Sequence, residues 1–301
     1  MGNQGRLIIT GASGWLASEI AIQAKTRGIV TVGVSSHEFS SQMFDEVVTN
    51  KQFLSSFELI RRDVIIHCAF CRKSIPSLLC ESLRWSSQVF AKAARSSVYR
   101  IINVSSQAVY DSNGTGCACE TDELCPTYPY AFAKASSEYI LNTAVASSGS
   151  DSSYVNARLA SVMGVSNNCC SSGVLRVFIE KALRGEDLSI AGGQQVFSFI
   201  SIHDAADALL HLASLDVSEL PNSCNVGLDK KTPMLDMAHC VVSLVSDFVG
   251  AKPVNITLHE GSEKDNMIKA GMNCSRIASL EWKPSFSFED IVEEMIEYLS
   301  K

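Results

Sequence analysis

"RLIITGASGWLASEIAIQAKTRGIVTVGVS", residues 6–35, decides the fold of this chain. Three patterns follow one another within it. "LIIT" is a short apolar run that ends at Gly11, "WLASEIAIQAKTRG" repeats its apolar positions at helical spacing and stops at Gly28, and "IVTVGVS" is rich in β-branched residues. Strand, glycine turn, helix and second strand form one unit. Apolar runs without polar interruption are what strands covered on both faces require.

The same alternation continues outward. "FDEVVT" at 44–49 reads as a third strand, "NKQFLSSFELIR" at 50–61 as a helix capped by Asn50, and "DVIIHCAF" at 63–70 as another buried strand. A helix follows over 78–94, then the strand "VYRIINVSS" at 98–106. This is the pattern of a Rossmann-type, doubly wound α/β fold with a parallel sheet. Residues 111–127 carry no period and read as a loop after a strand's carboxyl end, where such folds bind ligands. A helix over 129–147 starts at Pro129, a strand spans 153–164, and a Ser/Cys/Asn-rich loop covers 166–173. Further helices are expected over 174–184, after Asp204 as cap, over 233–249 and over 287–299, with short strands at 223–227 and 254–259. Residues 1–165 are therefore read as the dinucleotide-binding domain. Residues 166–301 are read as mainly a small, interleaved substrate lobe, with 195–227 partly returning to the core sheet.

Composition narrows the function. The 301 residues are 46% apolar and 19% charged with a net charge of −7, which fits a globular chain and disfavours long polyanionic partners such as nucleic acid. No run approaches the roughly 18 apolar residues of a membrane span. Eleven cysteines, an odd number, occur without paired CxxC spacing or histidines at zinc distance. They read as reduced thiols of a cytoplasmic protein with no metal site.

"TGASGWLA" at 10–17 lies directly between predicted strand and helix, the context in which G-x-x-G carries weight. Gly11 and Gly14 let the backbone approach a pyrophosphate, and the amino end of the helix, with Ser13, Trp15 and Leu16, supplies unpaired N–H groups. The tip of the second strand chooses the dinucleotide. It carries Ser35 and Ser36 rather than a carboxylate, which leaves room for a 2′-phosphate, although no arginine follows; NADP is preferred over NAD unless Glu38 folds back.

"YPYAFAK" at 128–134 places Tyr130 and Lys134 four residues apart, on one face of a helix. Alone, this pair is as easily a packing contact and a solvated charge. Together with "DVIIHCA" at 63–69, "SQAVY" at 106–110, Glu120, "NARLASVMG" at 156–164, "SIHDAADALLHL" at 201–212 and "LEWKPSFSFEDIVEEMIEYL" at 280–299, it resembles the extended short-chain dehydrogenase/reductase family of nucleotide-sugar epimerases, dehydratases and 4-keto-sugar reductases. The resemblance spans nearly the whole chain. It implies that Tyr130 is the general acid/base, that Lys134 binds the nicotinamide ribose and lowers the tyrosine pKa, and that Ser106 orients the substrate oxygen. The physics agrees, since a phenol near pKa ~10 needs a neighbouring cation to serve as a base at neutral pH.

The resemblance also implies cofactor contacts at Cys68, Ala69 and Ser105, and substrate contacts at Gln107, Arg158, Arg176 and Phe197. A homodimer through the helices at 78–94 and 129–147 is expected on the same ground. Dehydratases of the group carry an acidic pair after the catalytic hydroxyl, whereas here Gln107 and Ala108 stand there, which argues against elimination of water. Relatives also place an arginine near position 197 to grip a diphosphate. Here it is Phe197, for which Arg176 or Arg184 is the candidate substitute. A nucleotide-sugar, a small carbonyl compound, and a non-catalytic dinucleotide-binding role all stay open. Tyr110 is expected to wall the crevice, His67 to be a core imidazole, and Tyr128 to pack in a loop.

Overall fold

The computed structural model describes residues 5–110, 117–193, 195–229, 231–261 and 271–301. In chain order the first half holds β1 (Leu7–Thr10), α1 (Trp15–Thr26), β2 (Thr31–Ser35), β3 (Glu46–Thr49), α2 (Asn50–Ser55), β4 (Val64–His67), α3 (Pro76–Arg95), β5 (Arg100–Ser106), β6 (Cys117–Ala118), α4 (Pro129–Ser148) and β7 (Ser153–Leu159). The second half holds β8 (Ser161–Met163), β9 (Val165–Ser166), β10 (Cys169–Cys170), α5 (Val174–Leu183), β11 (Leu188–Ala191), β12 (Val196–Phe197), β13 (Phe199–Ser201), α6 (Ile202–Ser214), β14 (Ser223–Val226), β15 (Thr232–Pro233), α7 (Met234–Val249), β16 (Ile256–His259), β17 (Gly271–Met272), α8 (Ser275–Ser279) and α9 (Phe288–Leu299).

Seven strands form one parallel sheet in the order β14-β7-β5-β4-β1-β2-β3. The chain leaves β1 toward β2 and β3, then returns to β4 on the other side. The crevice at that reversal lies outside the carboxyl ends of β1 and β4, where open α/β sheets take their ligands. Successive residues of a strand face opposite sides, and β1 sends Leu7 and Ile9 into one core cluster and Ile8 into another. Both faces of the sheet are covered, which explains the unbroken apolar run. A separate core joins α5, α7 and α9.

Several local expectations are corrected. Asn50 is the first helical residue of α2; the cap is Thr49, whose hydroxyl accepts from Gln52 N–H at 3.2 Å while Gln52 Oε1 accepts from Thr49 N–H at 2.7 Å. The helix ends at Ser55 rather than Arg61. Ser55 and Ser56 hydroxyls donate back to the carbonyls of Lys51 and Gln52, a local bonding that competes with continued helix. Asp204 does not cap α6. Ser201 does, and Asp204 in the first turn accepts the backbone N–H groups of Ser285 and Phe286 at 2.9 and 3.0 Å. The 153–164 run divides at Ala160, because β7 belongs to the main sheet while β8 pairs with β13. The expected loop at 166–173 contains a hairpin of β9 and β10, turned by Asn167 and Asn168 at φ 48° and 56°, a backbone region asparagine tolerates. Of the expected loop at 111–127, residues 111–116 lie outside the described residues. Among the described residues no helix is long and apolar enough to cross a membrane.

An ion bridge centred on His203 helps tie the halves together. His203 on α6 bonds Glu19 of α1 through Nδ1 and Glu294 of α9 through Nε2, both at 2.8 Å, and Ser166 Oγ donates to Glu19 at 2.5 Å. The hydrogen bond to Glu19, then that to Glu294, raises the imidazole pKa to about 10. Burial pushes Glu19 up, but hydrogen bonds led by His203 outweigh it and bring the carboxyl to about 2. A base whose pKa is raised by folding stabilises the fold fully below its unfolded value of 6.5 and loses that contribution as pH climbs to about 10. The unfolding free energy difference between wild type and His203→Gln is therefore expected to shrink steadily from pH 6.5 to 10 in denaturant titrations. A pH-independent difference would refute the bridge.

Candidate active site

The turn after β1 is set by Gly11, whose φ of +73° suits glycine, and a Cβ there would lie 2.9 Å from the backbone of Ala69. A Cβ on Gly14 would meet the Gly11 carbonyl at 2.9 Å, and Gly14 N–H donates to that carbonyl at 2.8 Å. The loops after β1 and β4 thus touch backbone to backbone. Gly14 offers no side-chain cap to α1, so the first-turn N–H groups keep the open donors that a helix amino end presents. The indole N–H of Trp15 is buried and lacks a partner among the described residues. This donor set fits a dinucleotide pyrophosphate.

A cleft of about 590 Å³ runs from this loop past the end of β5 to the second lobe. Gly11, Gly14, Trp15 and Leu16 line its first wall, with Cys68 and Arg72 from the loop after β4. Ser105, Ser106 and Gln107 form the floor; Tyr130 and Lys134 of α4 face them, and Phe197 closes the far end. Tyr110 is a wall of the cleft, as expected. The residues that sequence reasoning put on the cofactor side are mostly together, with exceptions. Ser13 is exposed and does not line the cleft. Ala69 contributes through its backbone contact with Gly11. Ser35 is buried at the end of β2, accepting from His37 N–H at 3.4 Å, and Ser36 is exposed; neither lines this cleft.

Ser106 stands at the carboxyl edge of β5, where a 3-10 turn at Gln107–Val109 begins, and its hydroxyl accepts from Ala108 N–H at 3.2 Å. Tyr130 lines the same cleft, and the serine hydroxyl acts to lower its pKa. Pro129 starts α4, so Tyr130 projects from the first turn and Lys134 from the next. Burial raises the Tyr130 phenol to about 12, against the opposing pull of the Ser106 hydroxyl and the charge of Arg72. Lys134 is buried too. Its ammonium donates to the Val104 carbonyl at 2.7 Å and lies 4.0 Å from the Phe70 ring centre, farther from the Tyr130 ring at 5.9 Å. Burial lowers its pKa to about 7. Arg72 is a cation whose charge lowers the Tyr130 pKa, and Phe70, edge-on to Tyr130 at 6.2 Å, covers the Lys134 ammonium. The sequence pattern puts Phe70 at the end of a buried strand and does not mark Arg72; β4 ends at His67, so both stand on the loop after it.

Two substrate residues expected from the sequence lie elsewhere. Arg158 is buried in β7, paired with Glu138 of α4 at 2.8 Å, and donates to the Tyr110 hydroxyl at 2.8 Å. Ser105 donates to the same carboxylate at 2.5 Å. Tyr110 donates on to Asn225 at 2.6 Å, and Asn225 N–H donates to Glu120 at 2.8 Å. Arg158 and Glu120 are struts of a buried network. Arg176 pairs with Glu180 at 2.7 Å on α5 and lines a different surface depression, together with Arg184. His67 is a core imidazole between the hydroxyls of Thr10 and Ser86, each 2.8 Å away, and burial lowers its pKa to about 3. Among the described residues no group of His, Cys, Asp or Glu is arranged to hold a metal.

A profile described as "NAD dependent epimerase/dehydratase family" matches residues 7–227. Among curated proteins, the low-salt glycan biosynthesis protein Agl12 of Haloferax volcanii is 24% identical over 208 residues, 66% of this chain. The chain spans 61% of the length of that curated relative. Among solved structures, a UDP-N-acetylglucosamine 4-epimerase from Bacillus cereus superposes with a TM-score of 0.80 at 17% identity, over 98% of this chain and 96% of that one. A UDP-glucose 4-epimerase from Thermotoga maritima does so with a TM-score of 0.79 at 20% identity, over 97% and 98%. At these identities the likeness to solved structures is one of fold.

The Glu138–Arg158 pair allows a stability test. Glu138→Gln leaves a guanidinium with 6% side-chain exposure without its counter-charge, which is expected to cost about 3–5 kcal/mol of unfolding free energy in urea. Arg158→Met in the same background should recover part of that loss, because it removes the unpaired charge.

Proposed function

We propose, for a chain that belongs to the NAD dependent epimerase/dehydratase family, that it oxidises and reduces a secondary carbinol of a sugar substrate, with Ser106, Tyr130 and Lys134 as its working side chains. One observation carries this reading: Ser106, Tyr130 and Lys134 line the same cleft as the glycine loop. A nicotinamide ring held beside them would supply the acceptor and donor of hydride. Ser106 holds the substrate oxygen, and Tyr130 exchanges the proton on that oxygen. A phenol raised to about 12 is protonated at neutral pH, so Tyr130 acts first as an acid toward a carbonyl, and its use as a base relies on cations close by. Lys134 stands ready to trade the Val104 carbonyl for ligand hydroxyls.

Among the described residues lining the cleft there is no carboxylate, and Gln107 donates to Ser161 Oγ at 3.0 Å. This supports oxidoreduction or epimerisation over elimination of water. A nucleotide-linked sugar is the substrate class read here. A smaller carbonyl compound is the second reading, favoured by the uncharged second-lobe wall of Val162, Met163, Val174, Phe197 and Phe199.

NAD is the cofactor in this reading. The expected preference for NADP lacks a cation to support it, since "SSHEFSSQMF" at 35–44 contains neither arginine nor lysine. A homodimer across α3 and α4 belongs to the same proposal: Phe132 and Tyr139, seven residues apart on α4, are 55% and 62% exposed. The eleven free thiols fit a cytoplasmic setting.

Tyr130→Phe is expected to lower turnover of a nucleotide-sugar by roughly 10²–10⁴-fold while leaving NAD affinity, measured calorimetrically, unchanged. Turnover equal to wild type would sink the mechanism. In the same calorimeter NAD should bind more tightly than NADP, and the reverse order would overturn the cofactor assignment.

A further inference from the structure

The cleft differs in character between its two ends. Its charged side chains among the described lining residues, Arg72 and Lys134, come from the loop after β4 and from α4. The second lobe contributes Val162 and Met163 of β8, Val174 at the start of α5, Phe197 of β12 and Phe199 of β13, with hydroxyls from Ser161 and Ser172. Arg176 and Arg184 of that lobe do not line the cleft. They are paired with Glu180 and Glu186, each at 2.7 Å, and face another depression. A ligand group set against the second-lobe wall therefore meets apolar surface, and no side-chain charge among the described residues of that wall.

The wall is also ordered. Phe197 stacks on Phe199 with ring centres 5.8 Å apart and planes 18° from parallel, and Phe199 stacks on Phe288 of α9 at 5.1 Å and 28°. Phe199 and Phe288 are buried in the core that joins α5, α7 and α9, so rings fixed by packing support the half-buried Phe197 where it meets the cleft. Beside it Met163 brings a thioether, a group that makes favourable contacts with aromatic rings. A ring already held in place loses little freedom when a planar group is laid against it. We infer that the second-lobe end of the cleft is a subsite for an uncharged aromatic ring stacked on Phe197, and that the substrate is a carbonyl compound, or the matching secondary alcohol, that carries this ring. The inference rests on the second substrate reading of the proposed function, a smaller carbonyl compound, and names its class. The ring takes no part in the chemistry; it holds the oxygen-bearing carbon at Ser106 and Tyr130.

The test is calorimetric binding to the full chain at saturating NAD, with phenyl ketones of increasing chain length, their cyclohexyl counterparts and UDP-glucose as ligands. No turnover disturbs the measurement, because ketone and NAD are both oxidised. In wild type the best phenyl ketone is expected to bind roughly threefold to tenfold more tightly than its cyclohexyl counterpart, the worth of an aromatic pair beyond its buried area. It is also expected to bind more tightly than UDP-glucose. Phe197→Leu keeps the wall apolar and should lose the preference for phenyl over cyclohexyl; the wild-type comparison stands whatever the stability of that variant. Equal affinity for phenyl and cyclohexyl ligands in wild type, tighter binding of UDP-glucose than of every phenyl ketone, or an unchanged preference in a folded Phe197→Leu overturns the subsite. NAD binding to wild type alone separates the two levels of the argument. A chain that binds NAD yet prefers UDP-glucose loses the aromatic subsite and keeps the proposed function in its nucleotide-sugar form, whereas a chain that does not bind NAD loses both.

Discussion

The backbone contact between Gly11 and Ala69 is the constraint on which the site depends. Where the chain reverses between β1 and β4, the two following loops must pass close together, and any side chain at position 11 would strike the Ala69 backbone. With glycine there, the amino end of α1 and the residues from Cys68 to Arg72 share one crevice. The Arg72 loop, the Phe70 ring over Lys134, and the approach of both to Tyr130 all follow from that closeness.

Burial then shapes the chemistry. Lys134 and Tyr130 are pushed toward their neutral forms, the first down to about 7 and the second up to about 12. An active pair held in low-dielectric surroundings is sensitive to each nearby charge, because little water screens it. Beneath the pair, Glu138 sits one turn beyond Lys134 and is bound by Arg158 and Ser105. The floor at Ser105 and Ser106 is therefore braced from the side away from the cleft. The charge of Arg158, which the family resemblance assigned to substrate, is paired with Glu138 in that bracing.

The repeating parts of this architecture were legible from local pattern. The buried strands, the glycine turn, Pro129 at the start of α4 and the spacing of Tyr130 and Lys134 each depend on neighbours within a few residues, so periodicity and steric preference report them. Cap positions at Thr49 and Ser201 were missed by one to three residues, because several polar residues in each stretch can accept the first-turn N–H groups and geometry selects among them. The hairpin at Asn167 and Asn168 escaped because its strands are two residues each, too short for a period.

Arginines mark the boundary most clearly. Their side chains look alike in the sequence, yet Arg158 is buried against Glu138, Arg176 faces another depression, and Arg72 lines the cleft. The order of amino acids was enough for the sheet, its crossover helices and the reactive pair, since chain connectivity and helical geometry hold those relations locally. The partners of each charge, and the pKa values that result, come from segments far apart in the chain. They are settled by which groups the folded packing brings within hydrogen-bond reach and by how much water it removes from between them.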